Sequence, residues 1–365
     1  MKRSIQAFLD LLRAGLWEKE ACFIPNDRLL FKNIYLLSKE QSVVGLVAAG
    51  IEHITDEKPP KDFVLSLVGE AIQLERHNKA MNTFIGVLVE KMRAADIYTL
   101  LVKGQSIAQC YERPLWRECG DVDFYLSKTD YEKAKSFLSS LASSIQNEDK
   151  KRLHLSMTID SWEVELHGTL KTCLWRKLDK VIDDLHKEVF CGGAVRSWMN
   201  GNTQVFIPRA DEDVVFVFTH ILQHFYRGGV GLRQVCDWCR LLWSYRESIN
   251  SHLLETRLSE MGVRIEWKAF AYVAVNFLGM PAEAMPLYSS SSRWRRKASV
   301  LLSLILEMGN MGHSRNNEYQ YNKPVSLRRT ITFWRLTKDN VRQLFISPIN
   351  PIRVWCNTVW SRLFH

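Results

Sequence analysis

Helical periodicity runs through most of this chain and is interrupted once, and that interruption limits what the chain can fold into. Before it, Ile5, Phe8, Leu9 and Leu12, and later Phe63, Leu67, Val68, Ile72 and Leu74, recur at helical spacing. Pro25-Asn26-Asp27 and Pro59-Pro60 mark turns. Near Ile97 the period changes. Residues 98–102 form a short apolar, β-leaning run that stops at Lys103-Gly104, followed by a brief helical pattern from Gln105 to Tyr111 and a loop containing Pro114. Residues 121–126 alternate, with Val122, Phe124 and Leu126 on one face and Asp121 and Asp123 on the other. Thr129-Asp130 reads as a helix cap before Tyr131, Ala134, Phe137, Leu138 and Leu141. Residues 154–159 and 162–167 then read as two strands joined by the turn pair Asp160-Ser161. In the second strand Glu163, Glu165 and His167 share the face opposite Trp162, Val164 and Leu166. Helical spacing returns from Glu212 onward.

The pattern predicts an α+β protein, a small mixed-sheet core embedded in a mostly helical chain. It divides into an N-terminal helical region (1–90), the α/β core (91–205), a C-terminal helical domain (206–310) and a basic, aromatic-containing tail (311–365). With 46% hydrophobic and 24% charged residues the composition is that of a globular protein rather than a disordered one. No apolar run approaches the ~20 residues that cross a bilayer. The charged amphipathic start is unlike an export signal, and eight cysteines in 365 residues do not form a disulfide framework. The expectation is a cytoplasmic protein with reduced thiols. The net charge of +9 is unevenly placed: residues 291–365 hold thirteen Lys/Arg against Glu307, Glu318 and Asp339, and the rest of the chain is at −1. That split disfavours a nucleic-acid groove along the whole body.

Gly120-Asp121-Val122-Asp123 carries most of the chemistry. Aspartates at i and i+2 on a strand point the same way, ~7 Å apart along the backbone, so both side chains can converge on one metal. The preceding glycine lets a ligand approach the backbone. Glu165 is a third acid on an open strand face, and three acids on one small sheet repel one another unless cations lie between them. Such a trio can hold two divalent ions for phosphoryl chemistry. Upstream, a strand passes through Lys103-Gly104 into a helix, where backbone N–H groups, the Ser106 hydroxyl and the Lys103 ammonium can receive a polyphosphate. An ordinary strand-to-helix connection with a surface lysine accounts for the same residues.

Lys103-Gly104, the spaced set Tyr111, Pro114, Arg117, Gly120, Asp121, Val122 and Asp123, and then Val164-Glu165-Leu166-His167 resemble the bacterial uncharacterised nucleotidyltransferase family, relatives of the polymerase-β-like nucleotidyltransferases. Residues 225–238 resemble the helical part of that family, and the likeness spans about 20–290. The resemblance implies a nucleotidyltransferase core with Asp121, Asp123 and Glu165 as catalytic metal ligands for two Mg²⁺, or Mn²⁺. It implies a nucleotide site at Lys103, Gly104, Gln105, Ser106, Arg117 and Gly120. Lys103 and Arg117 would be cationic partners for phosphate and His167 an orienter of Glu165. The family's turn usually reads Gly-Ser or Gly-Gly; here it is Gly104-Gln105, with Ser106 one place later.

Other features are more ambiguous. His220/His224 and Cys236/Cys239 invite a zinc reading, but both pairs fall in apolar helical runs and read better as packed helix faces. The Arg227–Gly231 loop, with His224, Arg233 and Asp237 nearby, is a candidate acceptor pocket, to which His167 is added. An inter-helix turn with an Arg233–Asp237 ion pair explains it equally well. In the C-terminal section, residues 291–365, Trp294-Arg295-Arg296-Lys297, Phe333-Trp334-Arg335, Arg353-Val354-Trp355 and residues 360–364 mix aromatics with cations. An anionic membrane surface, RNA, or the protein's own body can each receive such a segment, and packing on the body is the simplest.

The expected activity is therefore transfer of a nucleoside monophosphate from an NTP to an acceptor, with pyrophosphate released. The acceptor stays open among small molecules, glycan precursors, proteins and RNA. A nucleotide- or partner-binding protein without catalysis, and an RNA-end nucleotidyltransferase, are the rival readings.

Overall fold

The structure, a computed structural model, describes residues 3–21, 27–55, 59–192, 194–310 and 324–363. The turn expected at Pro25-Asn26, the segment 311–323 and Phe364 lie outside the described residues. Four helices come first: α1 (Arg3–Trp17), α2 (Arg28–Glu40), α3 (Val44–Glu52) and α4 (Lys61–Ala94). Asp27 caps α2 by accepting from the Leu29 and Leu30 amides. α1 and α3 pack with their backbones close together, because Gly15 and Gly50 face each other and a Cβ on Gly15 would lie 1.8 Å from the Leu46 carbonyl oxygen.

The sheet follows as β1 (Leu100–Val102), α5 (Gly104–Ala108), β2 (Asp121–Tyr125), α6 (Lys128–Ser139), β3 (Ser144–Ile145), β4 (His154–Ile159) and β5 (Trp162–His167). Its order is β1-β2-β5-β4-β3, with β2 and β5 parallel and every other pair antiparallel. This is the α+β arrangement that the change of period announces. Asp160 and Ser161 both take positive φ, 48° and 70°, as a two-residue hairpin turn requires. The cap of α6 falls two residues earlier than expected. Ser127, not Thr129-Asp130, accepts from the Asp130 amide, and its hydroxyl donates to the Asp130 carboxylate.

Period-two alternation gives this sheet two unlike faces. Val122, Phe124, Val164, Leu166, Leu155 and Met157 are buried against the C-terminal half of α4 and against Tyr131, Ala134 and Leu138 of α6. The opposite face carries Asp121, Asp123, Glu165, His167 and His154, and the helical body closes over it.

That body comprises α7 (Arg176–Cys191), the hairpin β6 (Arg196–Asn200) and β7 (Thr203–Ile207), then α8 (Ala210–Arg227), α9 (Leu232–Ser244), α10 (Ser251–Met261), α11 (Arg264–Asn276) and α12 (Ser292–Met308). Two basic helices end the chain, α13 (Val325–Leu344) and α14 (Asn350–Leu363). Both are docked. Gln343 donates to the Phe225 carbonyl at 2.8 Å, Asn350 to the Gly262 carbonyl and to the fully buried Glu266 carboxylate, and Asn357 to the Leu174 carbonyl. Ile346 and Val354 join the main core. No helix among the described residues is long and apolar enough to cross a membrane.

Candidate active site

Strand register builds the site. In the parallel β2–β5 pair Asp123 lies opposite Glu165 and Asp121 opposite Glu163, so Asp123 and Glu165 stand side by side on one face. Carboxylate oxygens of Asp121, Asp123 and Glu165 lie within 4.8 Å of one another. Glu163 points the same way but sits at the exposed end of the strand, where Gln146 donates to it at 3.4 Å. Glu165, not Glu163, completes the trio.

Lys103 is placed at some cost. Its backbone adopts φ 57°, ψ −148°, a conformation that non-glycine residues rarely hold, at the point where β1 turns into α5. The strain delivers the ammonium to Asp123 Oδ1 at 2.7 Å. His167 Nε2 reaches the same oxygen at 2.7 Å and Glu165 Oε2 at 3.4 Å, while His154 Nε2 lies 3.2 Å from Glu165 Oε2.

These contacts set the protonation states. Burial alone would favour neutral Lys103, but the charges of Asp123 and Glu165 overcome it and raise the ammonium's pKa. Burial would likewise favour neutral His167, yet Asp123 and Glu165 raise it above its ordinary value. Glu165 is desolvated, but hydrogen bonds to His154 and His167 hold it well below the usual carboxylate range. Asp121 carries the unbalanced charge. The adjacent Asp123 carboxylate, aided by burial, pushes it up to about 6.

Opposite the sheet, α8 and α9 roof a cavity of about 240 Å³ that also admits Arg152, Lys171, Arg233, His220 and His224. His220 and His224 approach Nε2 to Nε2 at 3.1 Å. Burial keeps both neutral, with His224 lowered to about 4. Cys236 and Cys239 lie in the apolar core, and among the described residues no metal-binding group combines them with these histidines.

The residues expected to bind nucleotide divide into two sets. Lys103 and Gly104 line the cavity. Gln105 turns inward and donates to Asn78 at 2.7 Å, and the Ser106 hydroxyl donates back to the Lys103 carbonyl. Gly120 faces a neighbouring cavity, and a Cβ there would meet nothing within 4 Å. Arg117 lines the main cavity but is held in a buried bidentate pair with Asp237, at 3.0 and 2.6 Å. The Arg233–Asp237 pair considered from sequence therefore does not form. Arg233 instead donates to the Glu118 carbonyl at 2.8 Å, and its buried Nε has no partner. Of the candidate acceptor residues, His167, His224, Arg233 and Asp237 all line this one cavity.

Sequence reasoning missed His154, Arg152 and Lys171. For His154 the signal was present. Counting outward from the Asp160-Ser161 turn pairs Ile159 with Trp162 and, five residues on, His154 with His167.

A profile of the uncharacterised nucleotidyltransferase family matches residues 30–279, more than half of the chain, and the protein belongs to that family. Comparison with curated proteins and with solved structures returned no match.

Asp237→Ala leaves Arg117 buried without its counter-charge and should cost about 3–5 kcal/mol in urea unfolding, whether or not substrate is present. Asp121→Asn should stabilise the chelator-treated protein at pH 7.5 by about 1–3 kcal/mol. The folded protein holds its Asp121 proton up to about pH 6 and the unfolded chain only to about 3.8, so the cost of ionising this carboxylate grows between those values and is fully present above pH 6. The gain should therefore fade as pH drops from 6 to 4, as parallel melts of both proteins would show.

Proposed function

We propose that this protein is a metal-dependent nucleotidyltransferase that moves a nucleoside monophosphate from an NTP to an acceptor oxygen and releases pyrophosphate. The convergence of Asp121, Asp123 and Glu165 beside the Lys103 ammonium carries this reading. Their oxygens are the donor set that Mg²⁺ or Mn²⁺ prefers, and the raised Asp121 carboxyl marks a cluster with too much negative charge for the metal-free protein. Two such ions held there would neutralise phosphate charge and ease deprotonation of an acceptor hydroxyl. The chain's own contribution is positioning and charge. Lys103 stands at the carboxylates, and the unpartnered Arg233 Nε supplies a donor for a phosphate oxygen. His167 fixes the Asp123 and Glu165 carboxylates in place. In this reading His224, on the roof of the same cavity, meets the acceptor.

Turnover measured as pyrophosphate release, across the four NTPs with Mg²⁺, tests the assignment. Glu165→Gln and Asp123→Asn should each lower the rate at least ~100-fold, equivalent to about 2.7 kcal/mol of transition-state stabilisation. Glu163→Gln should stay within about threefold. Nucleotide binding without release by the parent protein would favour the non-catalytic reading instead.

The outer face of α13 supports a peripheral role at an anionic membrane. Leu327, Trp334, Val341 and Phe345 fall on one side of the helix and are exposed, Trp334 by 65%, with Lys338 among them. An apolar stripe bearing cations suits phospholipid headgroups. The full-length protein should co-sediment with phosphatidylserine vesicles at low salt, and Trp334→Ser with Phe345→Ser should abolish this. Sedimentation unchanged in that double variant, or retention by RNA alone, would reject the assignment.

A further inference from the structure

We propose that His154, Glu165 and His167 form a second metal position, different in chemistry from the all-carboxylate one, that takes a transition-metal ion of the zinc and cobalt class. This inference does not rest on the transferase reading.

Spacing is the first argument. Ligand atoms ~2.1 Å from a tetrahedral ion stand ~3.4 Å from one another. His154 Nε2 lies 3.2 Å from Glu165 Oε2, and His167 Nε2 lies 3.4 Å from the same oxygen. All three ligand atoms fall within 4.8 Å of one another, so each can serve one ion after small rotations. The arrangement is also fixed by the sheet. His154 and His167 are cross-strand partners on β4 and β5, their rings are 4.8 Å apart, and Glu165 is two residues from His167 on the same face.

Donor type is the second argument. Two imidazoles and one carboxylate suit zinc, cobalt or nickel, whereas Asp121, Asp123 and Glu165 offer oxygen alone and suit magnesium or manganese. Glu165 belongs to both groups, so the two positions are adjacent yet sort ions by chemistry. Three protein ligands beside a cavity leave a fourth place for water or a substrate oxygen, as in catalytic rather than structural zinc sites.

Filling the position has a cost that can be written down. His167 Nε2 must lose its proton to solvent and give up its hydrogen bond to Asp123, which leaves Asp123 Oδ1 to Lys103 and to the carboxylate position. A purely structural role would need only the hydrogen bonds, with the imidazoles serving as donors to carboxylates. The experiment separates the two.

Chelator-treated full-length protein, without nucleotide, is titrated with Co²⁺ and followed by visible absorption and calorimetry. One Co²⁺ per chain should bind with the ligand-field bands of nitrogen coordination, and Zn²⁺ should displace it. His154→Asn and His167→Asn should each weaken Co²⁺ binding at least tenfold. Glu163→Gln should leave it unchanged, and Asp121→Asn should preserve the bands. Circular dichroism confirms folding, and the half-buried His154 provides the deciding variant if His167→Asn unfolds. Absence of Co²⁺ binding, affinity in His154→Asn within twofold of the parent, or bands lost in Asp121→Asn would each overturn the proposal. Nucleotide turnover in Mg²⁺ without a Co²⁺ site would overturn this inference alone. A Co²⁺ site without nucleotide binding or turnover would count against the transferase reading alone.

Discussion

Asp121, Asp123 and Glu165 can share one face of a five-stranded sheet only because opposite charge is built in around them. Like charges a few ångströms apart in a partly desolvated cavity repel strongly, and the protein answers with Lys103 and His167 on Asp123 and with His154 on Glu165. Asp121 has no such close partner and retains the strain as a raised pKa. The architecture follows from this balance. β1 must pair with β2 to bring Lys103 near, β4 must pair with β5 to bring His154 near, and α8 must roof the sheet to limit water.

A second charge pair joins the two halves of the molecule. Arg117 precedes β2 and Asp237 lies on α9, and both are only about 5% exposed. Tyr111 donates to the same Asp237 carboxylate at 2.8 Å. The pair therefore serves as a rivet between the sheet and the helical roof, and Arg117 still lines the cavity. Arg240 does comparable work nearby, donating to the carbonyls of Cys110 and Leu16.

Much of the fold was legible where a local rule was sufficient. Alternation located β2, β4 and β5, and Asp160-Ser161 gave the hairpin and its register. The same rule places His154 against His167, although the pairing had to be counted out to be noticed. The parallel pairing of β2 with β5 was not legible, because it depends on a crossover through α6 and two more strands, and no local pattern encodes it. The Arg117–Asp237 pair was hidden for the same reason: its two members are 120 residues apart. α7 and the β6–β7 hairpin, by contrast, carried ordinary signals. Leu178, Val181, Ile182, Leu185 and Val189 repeat at helical spacing, and Gly201-Asn202, with Gly201 at φ 59°, is a two-residue hairpin turn.

Asn78 shows how the parts are mechanically coupled. It is fully buried near the middle of α4, a rod of 34 residues and roughly 50 Å. Its amide nitrogen donates to the carbonyls of Leu115 and Arg117, and its oxygen accepts from Gln105 on α5. One side chain thus grips both the segment leading to the rivet and the turn that aims Lys103. A slide of the rod by a single residue's rise would break all three bonds together, so the ammonium, the Arg117 segment and the helix form one lever whose far end, near Lys61, lies on the outer surface of the molecule.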